Sequence, residues 1–147
     1  MIHLGSGLYS NVYLYDDTKV IKIYSDEVDP SDDENYNMFL YYDKEVKTLL
    51  SLKGIEGVPM IYNHGITDNG NTFILLERAY PREHHTKENI AQIKHIMTQV
   101  HARGITHGDI KWKNIMYDSN GQVMIIDWNL ANTVDKKTDL LDIDKLI

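Results

Sequence analysis

The chain has 147 residues, a formal net charge of −7, 42% apolar and 25% charged residues, and no cysteine. That length suits one modest domain of globular composition. The acidic balance argues against a nucleic-acid-binding protein, which needs a basic face, and the lack of cysteine excludes disulfides and thiolate metal sites.

The N-terminus MIHLGSG has neither a basic flank nor a long apolar core, so we do not expect it to be a signal peptide. No stretch approaches the ~20 apolar residues that span a bilayer. We therefore expect a soluble protein without membrane association, located in the cytoplasm or otherwise inside a cell. The abundance of Ile, Asn, Lys, Tyr and Asp is typical of an AT-rich genome, and the cell would be a host cell if that genome is viral.

Strand patterns dominate the first half of the chain. NVYLYDD and VIKIY alternate apolar and polar residues around the turn DDTK, and VPMIYNHGI and NTFILLERA predict two further strands around TDNG. The acidic stretch DEVDPSDDE predicts a solvated loop, in which Ser31 and Glu34 fit a helix-starting capping box. A helix is predicted from there to Lys53. Its apolar residues near helical spacing are Phe39, Tyr42, Val46, Leu49, Leu50 and Leu52.

The second half predicts a helix, a hairpin and a short terminal helix. The first helix ends at Gly104, and its apolar face carries Ile90, Ile93, Ile96, Met97 and Val100. NIMYD and VMIID flank the turn DSNG as a hairpin. The tail TDLLDIDKLI predicts a helix whose inward residues are Leu140, Leu141, Ile143 and Leu146. This order predicts two small lobes divided near residues 80–81.

Two features of the first half carry chemistry. LGSGLYSNVY is rich in glycine, which lets backbone N–H groups approach an anion, although a plain hairpin turn explains the stretch alone. Lys22 lies inside the apolar strand VIKIY, where its charge is costly unless it is paired. Glu45 on the predicted helix is a partner for it. The alternative is that both side chains point to solvent.

A second constellation lies in HGDIKWKNIM and IIDW. Asp109 can act as a general base or orient a hydroxyl nucleophile. Asn114 and Asp127 supply hard oxygen ligands, which suit Mg²⁺ bound together with phosphate oxygens. Lys111 is placed to neutralise a migrating phosphoryl group. An Asx-rich loop that caps local turns would explain this loop, but not its occurrence together with the glycine-rich hairpin upstream.

On these motifs the chain resembles the eukaryotic-type protein-kinase-like superfamily. GSGLYSNV is similar to the glycine-rich loop, VIK to the strand with the phosphate-binding lysine, and YDKEVKTLLSL to the C-helix. LLERA is similar to the hinge, HGDIKWKN to the catalytic loop, and DWN stands where Asp-Phe-Gly is usual. The resemblance implies an α+β, minimal bilobal protein-kinase-like fold. It would be a single domain, 1–147, with an antiparallel β-sheet N-lobe over 1–79 and a truncated, mostly helical C-lobe over 80–147.

The resemblance also implies roles for individual residues, with ATP and Mg²⁺ as cofactors. The catalytic residues would be Asp109, Lys111, Lys22 and Glu45. The metal ligands would be Asn114 and Asp127. The ATP-binding residues would be Leu4, Gly5, Ser6, Gly7, Ser10, Val12, Val20, Lys22, Leu76, Glu77 and Ala79.

Several positions depart from the family pattern. Gly108 replaces the usual Arg, which implies that no loop phosphate controls activity, and Trp128 and Asn129 replace Phe and Gly. HGD and IDW are also similar to aminoglycoside- and choline-kinase relatives, and HGD to RIO-like kinases and the small kinase of the KEOPS complex. No Ala-Pro-Glu motif follows. Asp139 in the tail is a candidate anchor for the catalytic loop, and His84 and His85 are interpreted as surface residues.

The expected function is therefore a Ser/Thr protein kinase that transfers the γ-phosphate of Mg-ATP to a protein hydroxyl. Lys111 favours this class over the aminoglycoside type. Two alternatives stay open: a small-molecule phosphotransferase, and a truncated ATP-binding module that regulates another kinase or its substrate. The expected partners are a protein substrate and, over the reduced C-lobe, a partner protein or a second copy.

Overall fold

The computed structural model describes residues 1–7, 10–24, 38–131 and 136–147. Its elements in chain order are β1 (His3–Gly7), β2 (Ser10–Leu14), β3 (Lys19–Tyr24), α1 (Met38–Ser51), β4 (Ile61–Ile66), β5 (Thr72–Glu77), α2 (Lys87–Ala102), β6 (Ile115–Tyr117), β7 (Val123–Ile125) and α3 (Lys137–Asp144). A single 3₁₀ turn, Trp112–Asn114, precedes β6. The predicted acidic loop and capping box lie outside the described residues.

Strands β1 to β5 form one antiparallel sheet in the order β1-β2-β3-β5-β4. Its register pairs Gly5 with Val12 and Val12 with Lys22, so the glycine-rich strand and the lysine share one row across the sheet. Successive side chains of a strand point to opposite faces. Alternation along β3 therefore buries Val20, Lys22 and Tyr24 on the same face.

Helix α1 packs against this sheet with Tyr42, Val46, Leu49 and Leu52 buried. Two of the apolar residues near helical spacing, Phe39 and Leu50, do not belong to this buried face, because each is about half exposed. Leu50 follows Leu49 and so lies roughly 100° around the helix from it. Glu45 occupies one of the inward positions instead, and this brings a carboxylate to the buried face of the sheet.

The second half of the chain holds the larger core. Helix α2 packs against the β6–β7 hairpin, and their apolar residues join those from the end of α1. Buried members of this core include Leu52, Ile93, Met97, Val100, Ile115, Ile125, Trp128 and Ile143.

In the terminal helix α3 the predicted inward face is partly wrong. Ile143 is buried and Leu146 packs against the core, but Leu140 and Leu141 are 47% and 61% exposed. Asp139, which is fully buried, takes the inward position one turn before Ile143. No helix in the described part of the chain has the length and apolarity needed to cross a membrane.

Candidate active site

Lys22 lies at the centre of the site, between two carboxylates from distant parts of the chain. Its Nζ is 3.0 Å from Glu45 Oε1 and 2.8 Å from Asp127 Oδ1, and the residue is 3% exposed. Burial opposes its charge, but the two carboxylates outweigh burial and hold the pKa of Lys22 well above its usual value. Lys22 is therefore buried and carries its charge in this pairing, and the solvent-facing alternative does not apply to it.

Glu45 is held by three donors. Lys22 Nζ contacts both of its oxygens, the Tyr24 hydroxyl donates to Oε1 at 3.1 Å, and the Trp128 backbone N–H donates to Oε2 at 3.0 Å. The residue is 2% exposed. A buried carboxylate is tolerated when it is paired and its oxygens are hydrogen-bonded. Helix α1 is thereby fixed to the segment that carries Asp127.

Asp127 follows β7 with a backbone φ of 62°, and it is the non-glycine residue with positive φ among those that the structure describes. Non-glycine residues adopt this conformation rarely and at some energetic cost, and such residues cluster at functional sites. Burial raises its pKa, but the Lys22 ammonium dominates and holds the pKa of Asp127 below its usual value. The carboxylate is therefore ionised and available to a cation.

The loop between α2 and β6 brings three predicted site residues together. Asn114 Nδ2 donates to the backbone carbonyl of Asp109 at 2.8 Å and to its Oδ2 at 3.2 Å. Lys111 Nζ lies 3.4 Å from the same Oδ2. Asn114 is buried, whereas the side chains of Asp109 and Lys111 are 36% and 54% exposed. The carboxylate and the ammonium are thus accessible to a substrate from solvent.

The buried His107 ring sets the conformation of this loop through two hydrogen bonds to backbone groups. The Asp109 backbone N–H donates to its Nδ1 at 3.0 Å, and its Nε2–H then donates to the Ile126 carbonyl at 2.8 Å. Its ring meets the Trp128 ring edge-on, with centroids 4.6 Å apart. Burial lowers the pKa of His107, which favours the neutral tautomer that these two hydrogen bonds require.

Asp139 anchors the loop from α3, as predicted. Its Oδ2 accepts the His107 backbone N–H and its Oδ1 accepts the Gly108 N–H, each at 2.8 Å, and His101 Nε2 lies 2.8 Å from Oδ2. Gly108 has a φ of 90°, and a Cβ there would lie 2.8 Å from the Leu130 carbonyl oxygen. This contact is the physical reason that glycine stands where the family pattern has Arg.

The residues predicted to bind ATP lie in the five-stranded sheet or shortly after its strand β5. Gly5 and Val12 lie in the row of Lys22, and Val20 of β3 pairs with Leu76 of β5. The remaining predicted residues of this group that lie in the same strands are Leu4, Ser6, Gly7, Ser10 and Glu77, whereas Ala79 follows the end of β5 by two residues.

Side-chain hydrogen bonds already engage two of these residues. Ser6 Oγ donates to Asn11 Oδ1 at 2.7 Å, and Glu77 Oε1 accepts the Met60 N–H at 3.1 Å. Neither residue therefore offers an unengaged side chain to a nucleotide, and the Glu77 backbone N–H is also engaged, because it donates to the Met60 carbonyl at 2.8 Å.

Sequence reasoning missed residues that support the site. His85, interpreted as a surface residue, is half-buried: its ring stacks on Trp112 of the loop between α2 and β6, 4.2 Å between centroids, and its Nδ1 lies 2.6 Å from the Tyr117 hydroxyl. Tyr24 and Asn129, linked to Glu45 through the Tyr24 hydroxyl, were not singled out for a site role either. The spacing of Tyr24 two residues from Lys22 was the available signal, since both had to face the same side of β3.

The antiparallel sheet packs against α1, and the Lys22–Glu45–Asp127 cluster is accompanied by a hydrogen-bonded loop. Together these features define a small bilobal α+β fold of the protein-kinase type. A family model described as protein kinase domain matches residues 2–145. The chain belongs to the protein kinase family.

Among its relatives, serine/threonine-protein kinase PKH3 of Saccharomyces cerevisiae is 29% identical over 149 residues, which covers 90% of this chain and 16% of that protein. Serine/threonine-protein kinase AtPK1/AtPK6 of Arabidopsis thaliana is 23% identical over 147 residues, which covers 92% of this chain and 32% of that protein. The chain thus spans less than a third of the length of these two relatives. In fold it is similar to WbdD, solved with the kinase inhibitor LY294002, with a TM-score of 0.71, 16% identity, and coverage of 97% of this chain and 36% of WbdD.

Proposed function

We propose that this chain transfers the γ-phosphate of Mg²⁺-bound ATP to a Ser or Thr hydroxyl of a protein. The observation that carries the proposal is the buried Lys22 ammonium held between Glu45 and Asp127, with the His107 ring linking Ile126, next to Asp127, to the backbone of the accessible Asp109. Burying the charges of Lys22 and Glu45, and part of the charge of Asp127, is costly and is weak evidence for a role in stability. An arrangement that positions a cation for a polyphosphate explains the cost.

Lys22 would contact the α- and β-phosphates from the row it shares with the glycine-rich strand. Glu45 keeps the ammonium oriented, because its own position is set by the Trp128 backbone N–H and the Tyr24 hydroxyl as well as by Lys22. A cation fixed in this way stabilises phosphate charge without having to reorganise when the reaction occurs.

Asp127 and Asn114 fit a magnesium ion. An ionised carboxylate and an amide oxygen are hard ligands, and both Asn114 hydrogen bonds to Asp109 use Nδ2, which leaves its Oδ1 for the metal. In the part of the chain that the structure describes, no group of three or more His, Asp or Glu side chains could hold a metal ion. We infer that phosphate oxygens and water complete the coordination, as is common for Mg²⁺ at nucleotide sites. When bound, the ion would neutralise charge on the phosphates.

At the acceptor end, the Asp109 carboxylate would orient the substrate hydroxyl and accept its proton. Its position is set by the Asn114 amide and by the His107 ring, which accepts the Asp109 backbone N–H. Lys111, 3.4 Å from the carboxylate, would face the γ-phosphoryl group as it moves to the acceptor.

Transfer of labelled phosphate from ATP to a panel of proteins and small hydroxyl compounds tests the proposal. We expect Asp109→Asn to lower the rate by roughly 10²–10⁴-fold while ATP affinity is kept, because a positioned base acts on the acceptor rather than on the nucleotide. Asp127→Ala should weaken ATP binding in the presence of Mg²⁺. Asp68→Asn, an exposed carboxylate in the β4–β5 turn, is the matched control and should change neither quantity.

The panel separates the proposal from its alternatives. Transfer to a small hydroxyl compound and to no protein would replace the protein-kinase assignment with a small-molecule phosphotransferase. If the wild type transfers phosphate to no acceptor, including itself, and Asp109→Asn still performs the cellular role, the chain is an ATP-binding regulatory module. The exposed Leu140 and Leu141 on α3 would then be the first surface to test for a partner protein or a second copy.

A further inference from the structure

The hydroxyl of Tyr24 connects three parts of the site. Tyr24 follows Lys22 by two residues on β3, lies on the same face of the strand, and is fully buried. Its hydroxyl donates to Glu45 Oε1 at 3.1 Å and accepts from Asn129 Nδ2 at 3.5 Å. Strand β3, helix α1 and the segment after Asp127 therefore meet at one oxygen atom.

Packing alone does not explain this hydroxyl. The Tyr24 ring belongs to a small apolar cluster and meets the Tyr42 ring edge-on, 6.4 Å between centroids. A phenylalanine would fill the same space. Burial, together with the Glu45 charge, raises the pKa of Tyr24 far above its usual value, so the group stays protonated and donates to the carboxylate.

The partners of Glu45 differ in how much they depend on the nucleotide. Lys22 contacts both Glu45 oxygens, but the same ammonium also contacts Asp127 and would turn toward the phosphates. The Tyr24 hydroxyl and the Trp128 backbone N–H donate to Glu45 and would not turn toward the phosphates. These two donors, one on each oxygen, can hold the carboxylate in place before, during and after nucleotide binding.

We propose that Tyr24 is a positioning residue for phosphoryl transfer: its hydroxyl fixes Glu45 and, through Asn129, ties helix α1 to the segment that carries Asp127. Lys22 is thereby oriented before the nucleotide arrives. This inference rests on the proposed function, since Lys22 must bind phosphate for the orientation to matter.

The test compares Tyr24→Phe with Tyr42→Phe. Both changes remove one hydroxyl and keep a ring of the same cluster, but the Tyr42 hydroxyl bonds His64 Nδ1 at 2.9 Å, away from Glu45. We expect Tyr24→Phe to raise KM for Mg-ATP on the order of ten-fold, the usual effect of losing a hydrogen bond to a charged group, with a smaller change in kcat. Tyr42→Phe should leave both constants near those of the wild type.

A double-mutant cycle tests the link through Asn129. Asn129→Ala should raise KM less than Tyr24→Phe does, and in the double variant the two effects should be less than additive because both act on the same oxygen atom. If the two effects on KM are fully additive in the double variant, the link from Tyr24 to the Asp127 segment is overturned.

Amide exchange of Trp128 in the nucleotide-free protein gives a readout independent of activity. Its N–H donates to Glu45 Oε2, so it should exchange faster in Tyr24→Phe and at the wild-type rate in Tyr42→Phe. Unchanged exchange, or faster exchange with KM unaltered, would overturn the positioning role. If the wild type transfers no phosphate, the proposed function fails separately, and this exchange alone decides whether the hydroxyl orders Glu45.

Discussion

At the scale of single residues, the site consists of side chains that break local rules. Lys22 is a charge inside an apolar strand, Asp127 has a backbone conformation that suits glycine, and Gly108 stands where the family pattern has Arg. Such departures from local preference are expected at functional sites, where the rest of the fold compensates for them. Here the Glu45 carboxylate compensates the buried charge of Lys22. The Leu130 carbonyl is the reason that position 108 is glycine.

We predict that His107 makes the protein less stable in mild acid. Burial lowers the pKa of its ring in the folded state below the ordinary value of 6.5. Above pH 6.5 the ring is neutral in both states, so the free energy of unfolding keeps its full value. It falls as the pH drops from 6.5 through the folded-state pKa, because the unfolded chain takes up a proton that the buried ring does not. The free energy of unfolding should fall by at most roughly 1.4 kcal/mol per pH unit from this residue.

Urea unfolding at about pH 7.5 and about pH 5.5 measures that loss. His107→Gln removes the titrating ring and should reduce the difference between the two free energies. His95→Gln, which changes an exposed residue of α2, is the control and should keep the wild-type difference. Equal differences for wild type and His107→Gln would mean that another group is responsible.

At the scale of elements, periodicity predicted the helices and strands well where one face is apolar. The alternation in VIKIY and the spacing of Ile93, Met97 and Val100 correspond to β3 and α2. The inward face of α3 was not predictable from apolar spacing, because its first inward residue is Asp139. A buried carboxylate is stable only with partners from other elements, and sequence spacing does not reveal those partners.

The catalytic and metal-binding candidates were found from motif order, whereas their supporting residues were not. Lys22, Glu45 and Asp127 stand in a recognisable order, and the structure brings them into contact. The stack of His85 on Trp112 depends on the path of the connector between β5 and α2. No local pattern encodes that path, because a single histidine in a polar stretch fits a solvent position equally well.

We predict that Asp139→Asn lowers both stability and transfer. The asparagine keeps one oxygen acceptor but places an amide toward a buried N–H donor of the His107–Gly108 segment. Leaving a buried donor unsatisfied costs about 1–3 kcal/mol. Urea unfolding should show a loss of that size, and the transfer rate should fall because the loop that carries Asp109 loses its anchor.

Asp144→Asn provides the matched control for this change. Asp144 lies on the same helix but is exposed, so the substitution removes one charge without touching the loop. It should leave unfolding and transfer at wild-type values. A similar loss in both variants would show that the effect comes from the charge of α3 rather than from the anchor.

At the scale of the whole molecule, contacts distant in sequence hold the sheet and the second half of the chain together at the site. Lys22 contacts the Asp127 carboxylate, and the Glu45 carboxylate accepts the Trp128 backbone N–H. These two contacts connect the strand that would bind phosphate and helix α1 to the segment that would bind metal. Outside the site, the Ile125 backbone N–H donates to the Gly57 carbonyl at 2.8 Å, and the Arg103 side chain donates to the Ser51 carbonyl at 2.9 Å. The geometry of the site therefore depends on the relative position of the two regions, which these contacts set.

We predict that transfer does not require phosphorylation of the chain. In the family pattern an Arg before the catalytic Asp reads a loop phosphate, and here Gly108 leaves no room for such a side chain, since even a Cβ would lie 2.8 Å from the Leu130 carbonyl oxygen. The loop is instead fixed by the Asp139 carboxylate. Protein treated with phosphatase, and shown by mass spectrometry to carry no phosphate, should transfer at the rate of untreated protein. A large loss of rate after treatment would show that a phosphorylated residue orders the site, and the Asp139 anchor would then be insufficient by itself.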